Sequence, residues 1–138
     1  MTSRRATCSC GQLNLTIEGE PARISMCHCL ECQRRTGAVI SNQARFRREQ
    51  ITFAGKSTAW TRTAESGNGL TFHFCPTCGC VLCWRGLRLD KDGRRRIAVN
   101  VRLAEPEAVG HLLIDHFDGL DKFDDLPRDG RCVKDMWF

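Results

Sequence analysis

The chain has 138 residues, 41% of them hydrophobic, with seven Phe, three Trp and no Tyr, ten Cys, and a formal net charge of +5. This length suits one domain, 1–138, with a core of ordinary size; no apolar run follows the basic residues of "MTSRRATCSCGQL" and no 18-residue apolar stretch exists, so neither a signal peptide nor a membrane span is expected, and the expected setting is soluble and cytoplasmic. Ten cysteines would suggest a disulfide framework in a secreted chain, whereas in a cytoplasmic one the same density points to metal.

In chain order, "QLNLTIEG" (12–19) alternates Leu13, Leu15 and Ile17 with polar residues and reads as a half-buried strand ending at a glycine. "ARISMC" (22–27) reads as a short strand, and "LECQRRTG" (30–37) as one or two helical turns closed by Gly37. "AVISNQARF" (38–46), "ITFAG" (51–55) and "STAWTRT" (57–63) look extended, "SGNG" (66–69) is a turn, and "LTFHFC" (70–75) alternates again. "VLCW" (81–84) and "RIAVNV" (96–101) are strands flanking a polar hairpin loop, "DKDGRRR" (90–96). Many short strands with turn signals and no long helical period predict an all-β fold. The acidic end, 104–138, has Phe117, Leu120, Phe123 and Leu126 at three-residue steps, which fits either helical turns or an irregular packed tail.

The cysteines fall into patterns. "CPTCG" (75–79) has the form of a zinc knuckle, in which backbone N–H groups of the turn point at the thiolates and the glycine permits the tight backbone. A knuckle supplies half a tetrahedron, and "CSCG" (8–11) offers a matching pair, so Cys8, Cys10, Cys75 and Cys78 make a closed structural site; sets using Cys80 or Cys83 are the alternatives. "CHCLEC" (27–32) then holds three thiolates, Cys27, Cys29 and Cys32, with no obvious fourth ligand. A three-ligand metal with an open position is the mark of a catalytic or substrate-binding site. The competing readings are closure by His28, His73 or a spare cysteine, or a redox-labile thiol cluster. Three thiolates weaken zinc toward water and suit a soft fourth ligand, a thiol, which would be held as thiolate and could add to an aldehyde carbonyl or leave one.

Taken together, "CSCG", "CHCLECQRRTG" and "GNGLTFHFCPTCG", in this order and at these separations, resemble the glutathione-dependent formaldehyde-activating (GFA) family, which also contains centromere protein V; the match spans roughly residues 6–103. The resemblance implies a Mss4-like, zinc-stabilised β fold with short helical turns. It implies a structural zinc at Cys8, Cys10, Cys75 and Cys78, and a second zinc at Cys27, Cys29 and Cys32 where glutathione or its aldehyde adduct is handled. The family reaction joins formaldehyde and glutathione into S-hydroxymethylglutathione, carbon–sulfur lyase chemistry. Cys80 and Cys83 depart from the common pattern and are expected as small buried apolar residues, with Cys132 a spare thiol.

Around the open site, Arg34 and Arg35 are candidates for pairing with a carboxylate of glutathione, against the plainer reading of a solvated, charge-balancing turn. His28 and His73 are candidates for proton transfer. Residues 1–103 carry 17 basic and 7 acidic side chains, and residues 104–138 carry 4 and 9. Two zinc ions on seven thiolates would lower the net charge to about +2, so part of the basic excess is counter-charge rather than a nucleic-acid footprint. The basic residues look scattered, and "RFRR" (45–48) reads as a solvated edge. The alternative to the enzyme is a non-catalytic zinc module contacting a protein or nucleic acid; an accessible open site separates the two.

Overall fold

The computed structural model describes residues 2–65 and 67–137, so Ser66 of the expected "SGNG" turn lies outside it. The alternating pattern of "NLTIE" does what period two requires: in β2 (Asn14–Glu18) Leu15 and Ile17 are fully buried while their neighbours are half-exposed. This strand is the centre of a three-stranded antiparallel sheet, flanked by β1 (Ser3–Thr7) and β5 (Ile51–Ala54). The larger sheet has eight strands in the order β11-β10-β3-β4-β9-β8-β7-β6. These are β3 (Arg23–Cys27), β4 (Ser41–Phe46), β6 (Thr58–Arg62), β7 (Leu70–Phe74), β8 (Val81–Leu89), β9 (Arg95–Val99), β10 (Asp115–Asp118) and β11 (Asp124–Asp125). All pairings between them are antiparallel except β10 with β3. The helices are short: α1 (Leu30–Thr36), α2 (Pro106–Val109) and α3 (Val133–Trp137). The all-β expectation is met.

One face of the large sheet packs against the small one. Ile24, Ala44, Phe46, Cys83, Ile97 and Val99 meet Leu13, Leu15, Ile17 and Ile51 in one core. The opposite face carries a small aromatic cluster, Phe72, Trp84 and Ala98, with Trp60 stacked on Phe72. By register, Arg23, Arg45, Ala98, Trp84, Phe72 and Trp60 lie on this second face, and Arg62 joins them two residues beyond Trp60.

The acidic end is neither of the forms its spacing suggested. It adds the parallel strand β10 beside β3 and sends Val109, Leu112, Ile114 and Val133 into the main core. Two further elements escape the sequence patterns. β8 runs past Trp84 to Leu89. β1 is built on a buried arginine: Arg4 is 3% exposed, donates from Nε to the Ala108 carbonyl at 2.7 Å, bonds the Gly19 carbonyl, and pairs with Glu20 at 2.5 Å. A fully paired guanidinium can occupy a core position that hydropathy assigns to the surface.

Candidate metal centres

The first cluster is made by two turns facing each other. In "CSCG" the Gly11 N–H donates to the Cys8 carbonyl at 3.0 Å, and the Leu13 N–H reaches Cys8 Sγ at 3.4 Å. In "CPTCG" the Gly79 N–H, with φ +78, donates to the Cys75 carbonyl at 2.9 Å. The N–H groups of Thr77 and Cys78 point at Cys75 Sγ, at 3.4 and 3.5 Å. Cys8, Cys10, Cys75 and Cys78 bring four sulfurs within 4.8 Å of one another, and the Cys8–Cys10 and Cys10–Cys75 separations are both 3.6 Å. Burial alone would raise the Cys75 thiol, but the Cys78 N–H, the Gln12 amide and the Thr77 N–H outweigh it and hold it at about 5.

Gln12 is a member the sequence did not flag. Its Nε2 donates to Cys75 Sγ at 3.0 Å and to the Lys56 carbonyl at 2.8 Å, and its Oε1 accepts from the Lys56 N–H at 3.0 Å. The close approach requires Gly55, where a Cβ would fall 1.9 Å from the Gln12 carbonyl oxygen. Cys80 stands beside the cluster, bonded to Ser9 Oγ at 3.2 Å, and is not among the four. Cys83 is buried in the apolar core, and that burial pushes its thiol up to about 12.

The second cluster sits where β3 ends and α1 begins. Cys27 is the last residue of β3, Cys29 caps the helix with its sulfur accepting from the Cys32 N–H at 3.4 Å, and Cys32 lies one turn in. Gly37, with φ +69, closes the helix as expected. The three sulfurs lie within 4.8 Å of one another, and among the described residues no fourth His, Cys, Asp or Glu joins them. A hydrogen bond from Cys27, with help from Ser41, Cys29 and the Arg35 charge, holds the Cys32 thiol at about 5 against burial, and Cys27 is driven up in turn.

His28 faces away from the sulfurs. Its Nε2 accepts from the Gly119 N–H at 3.0 Å and lies 3.8 Å from Asp118. Asp118 pins the following turn, accepting from the N–H groups of Leu120, Asp121 and Lys122, which lower its pKa. Gly119 is pressed on the cluster: a Cβ there would be 2.7 Å from the Cys29 nitrogen and 2.9 Å from its Cβ. The "DG" of "HFDGLD" was the available sequence signal for this support.

The other expected site residues separate. Arg34 is solvent-exposed and pairs with Glu31 at 2.6 Å, whereas Arg35 is half-buried over the Phe72 ring at 4.7 Å and its charge reaches Cys32. His73 lies on the other face of the large sheet, near Cys83 and Arg85, where burial and then Arg85 lower its pKa. Not all of the basic residues are scattered. Strand alternation gathers Arg23, Arg45 and Arg62 around a cavity of ≈ 180 Å³ that opens on Cys27, Cys29 and Cys32 and is walled by Leu70, Phe117 and Phe123. Arg45 therefore lines a cavity, where the run "RFRR" suggested a solvated edge.

Residues 3–109 match the model of the family described as glutathione-dependent formaldehyde-activating enzyme. None of the curated proteins matches the chain. Among solved structures, that of a Rhodobacter sphaeroides protein is similar, with a TM-score of 0.51 and 22% identity over 72% of this chain and 85% of that one. At that identity the likeness speaks for the fold, and it agrees with the Mss4-like architecture.

Proposed function

Because the chain belongs to the glutathione-dependent formaldehyde-activating enzyme family, we propose that it is a zinc-dependent carbon–sulfur lyase acting on the adduct of glutathione, or another thiol, with formaldehyde or a small aldehyde. The observation that supports this most is the unequal pair of clusters. One gathers four sulfurs, the other three, and the second faces a cavity.

The donor sets fit zinc. A tetrahedron with zinc–sulfur arms of about 2.3 Å has edges of about 3.8 Å, and the 3.6 Å separations of the first cluster are close to that. Cys8, Cys10, Cys75 and Cys78 would hold the structural ion, and Cys27, Cys29 and Cys32 the second. Bound there, zinc supplies a soft Lewis acid that favours a substrate thiol in its thiolate form. The residues do the rest. Arg35 and Ser41 stabilise negative charge on Cys32, and the Asp118–Lys122 turn holds Cys29 in place through Gly119. Phe117 and Phe123, edge to face at 5.0 Å, wall the cavity beside the sulfurs. In the forward direction the thiolate electron pair forms the carbon–sulfur bond while the carbonyl π pair moves to oxygen, which takes a proton from water. The reverse breaks that bond and returns the proton.

Ten free thiols, seven of them in these clusters, suit a reducing cytoplasm. Among the described residues no helix is long and apolar enough to cross a membrane.

The test is metal stoichiometry in protein purified under reducing conditions, comparing wild type with Cys29→Ser, with and without glutathione. The expected result is about two zinc ions in wild type, about one in a folded Cys29→Ser, and a response to glutathione only where the second ion is present. One zinc in both proteins, indifferent to glutathione, sinks the proposal.

A further inference from the structure

The cavity at the three cysteines adjoins a wider open groove of ≈ 750 Å³; the two share Arg45, Arg62, Leu70 and Phe123 in their walls. The groove adds Arg88 and Arg96 further along the same face. Carboxylates near this run of guanidiniums are few and already engaged. Asp125 is held by Arg23 through two bonds of 3.0 and 2.6 Å, Glu31 bonds Arg34 at 2.6 Å while standing 4.0 Å from Arg62, and Asp90, in the groove lining, accepts from the Asp92 and Arg94 N–H groups at 2.9 Å each. Arg45 lines both spaces. It is half-buried, its Nε is shielded from solvent with no hydrogen-bond partner, as are those of Arg35 and Arg85, and burial followed by repulsion from Arg23 and Arg96 outweighs the attraction of Asp125 and disfavours its charge. A guanidinium nitrogen shielded in this way without an acceptor is costly unless an anion completes it.

We propose that Arg45, with Arg62 beside it, is the specificity-determining carboxylate subsite for the thiol that enters the three-cysteine cavity. The inference rests on the reading of that cavity as a thiol site and adds the residues that select a carboxylate-bearing thiol. The thiol carries a carboxylate a short distance from its sulfur, and its remaining body lies along the groove past Phe123 toward Arg88 and Arg96. Phe123 is suited to this dividing position: it is 65% exposed, holds a left-handed backbone with φ +53, and lines both spaces. A planar guanidinium discriminates well here, since it binds a carboxylate through two parallel bonds and has little to offer an ester.

The experiment is calorimetric titration of zinc-loaded protein with glutathione and with glutathione diethyl ester, for wild type, Arg45→Gln and Arg62→Gln, at low and high salt. Wild type is expected to prefer glutathione over the diester by about tenfold or more, the usual range for a charge-assisted bond. Arg45→Gln should abolish most of that preference, lowering glutathione affinity far more than diester affinity, with a smaller loss for Arg62→Gln. Salt should weaken glutathione binding and spare the diester. Equal affinity of wild type for the two thiols overturns the subsite while leaving the thiol-site reading intact. So does an equal loss of both thiols in Arg45→Gln, or a preference that survives in both variants. If Arg45→Gln retains less zinc than wild type, Arg62→Gln and the salt dependence of wild type decide. Failure of wild type to bind either thiol overturns the reading and the subsite together.

Discussion

The two cysteine clusters use the same atoms to opposite ends. The first draws on residues more than sixty positions apart, Cys8 and Cys10 from one turn and Cys75 and Cys78 from another, and ties the small sheet to the β7–β8 turn of the large one. The second comes from six consecutive residues at one strand–helix junction, and its sulfurs look into a cavity rather than toward another part of the chain. A metal in the first closes a long loop and therefore contributes to folding; a metal in the second closes almost none. The difference shows that ligand count alone does not separate a structural from a working site. The span of chain the ligands join points to the same division independently.

Variants can break this comparison, beginning with the largest effect. Cys78→Ser removes one ligand from the long-range cluster and should cost several kcal/mol, enough to leave the chain largely unfolded or insoluble, because metal binding in such a site is folding free energy. Cys29→Ser should keep the fold and lose one equivalent of metal. Far-ultraviolet circular dichroism with metal analysis checks both, and a folded Cys78→Ser with two metals would reverse the assignment.

Acid should separate the clusters less drastically. Cys32 and Cys75 are both held at about 5, below the ordinary thiol value of 9.0, so each contributes its thiolate fully above that value and loses it as pH falls through about 5. Cys10 and Cys27 are raised in the same two clusters, so a metal must displace protons to bind at either site, and its affinity falls with pH at both. On acidification the three-sulfur site, with fewer bonds to share, should release its ion first, giving two steps in a titration followed with a chromophoric chelator. A single step would mean that the sites are coupled.

Gly119→Ala tests the support of the second cluster without touching a ligand. The added Cβ meets backbone atoms of Cys29, which have little room to give, so a cost of about 1–3 kcal/mol is expected. Metal affinity at the second site should fall about tenfold or more, as for other residues that orient ligands, with the first site unchanged. Chelator competition measures each.

How much of this was legible follows the same division. The strands read correctly where alternation is clean, as in β2 and β7, and α1 with its Gly37 cap was placed within a residue. Both cysteine sets followed from spacing, since a tight turn aiming two sulfurs is a local event. What the sequence hid was relational. β1 failed to register because its buried residues are Ala6 and Arg4, and the partners of Arg4 at Gly19, Glu20 and Ala108 come from two other segments. β10 pairs with a strand some ninety residues earlier. Arg45 looked like part of a solvated run because only strand pairing shows which face it shares with Cys27. Arg34 and Arg35 looked equivalent as neighbours, yet successive positions on a helix point apart, and only Arg35 turns inward.

The smallest effect concerns the extra cysteines, and it sharpens the comparison by limiting each cluster to its own members. Cys83 is 2% exposed, lies in the main core, and is pushed up to about 12 by burial. Replacing it with Val keeps the volume close and removes a weakly polar group, so at neutral pH stability should change by less than about 1 kcal/mol and metal content not at all. The difference should appear in alkali. A thiol whose folded value is raised gives stability that is complete below the ordinary 9.0 and is lost as pH climbs through about 12. Wild type should therefore lose about 2 kcal/mol relative to Cys83→Val by about pH 10.5. Denaturant melts of the two proteins at neutral and alkaline pH make the measurement. Parallel curves at both would overturn the raised thiol value, and a metal lost from Cys83→Val would place this sulfur among the ligands and reopen the boundary of the first cluster.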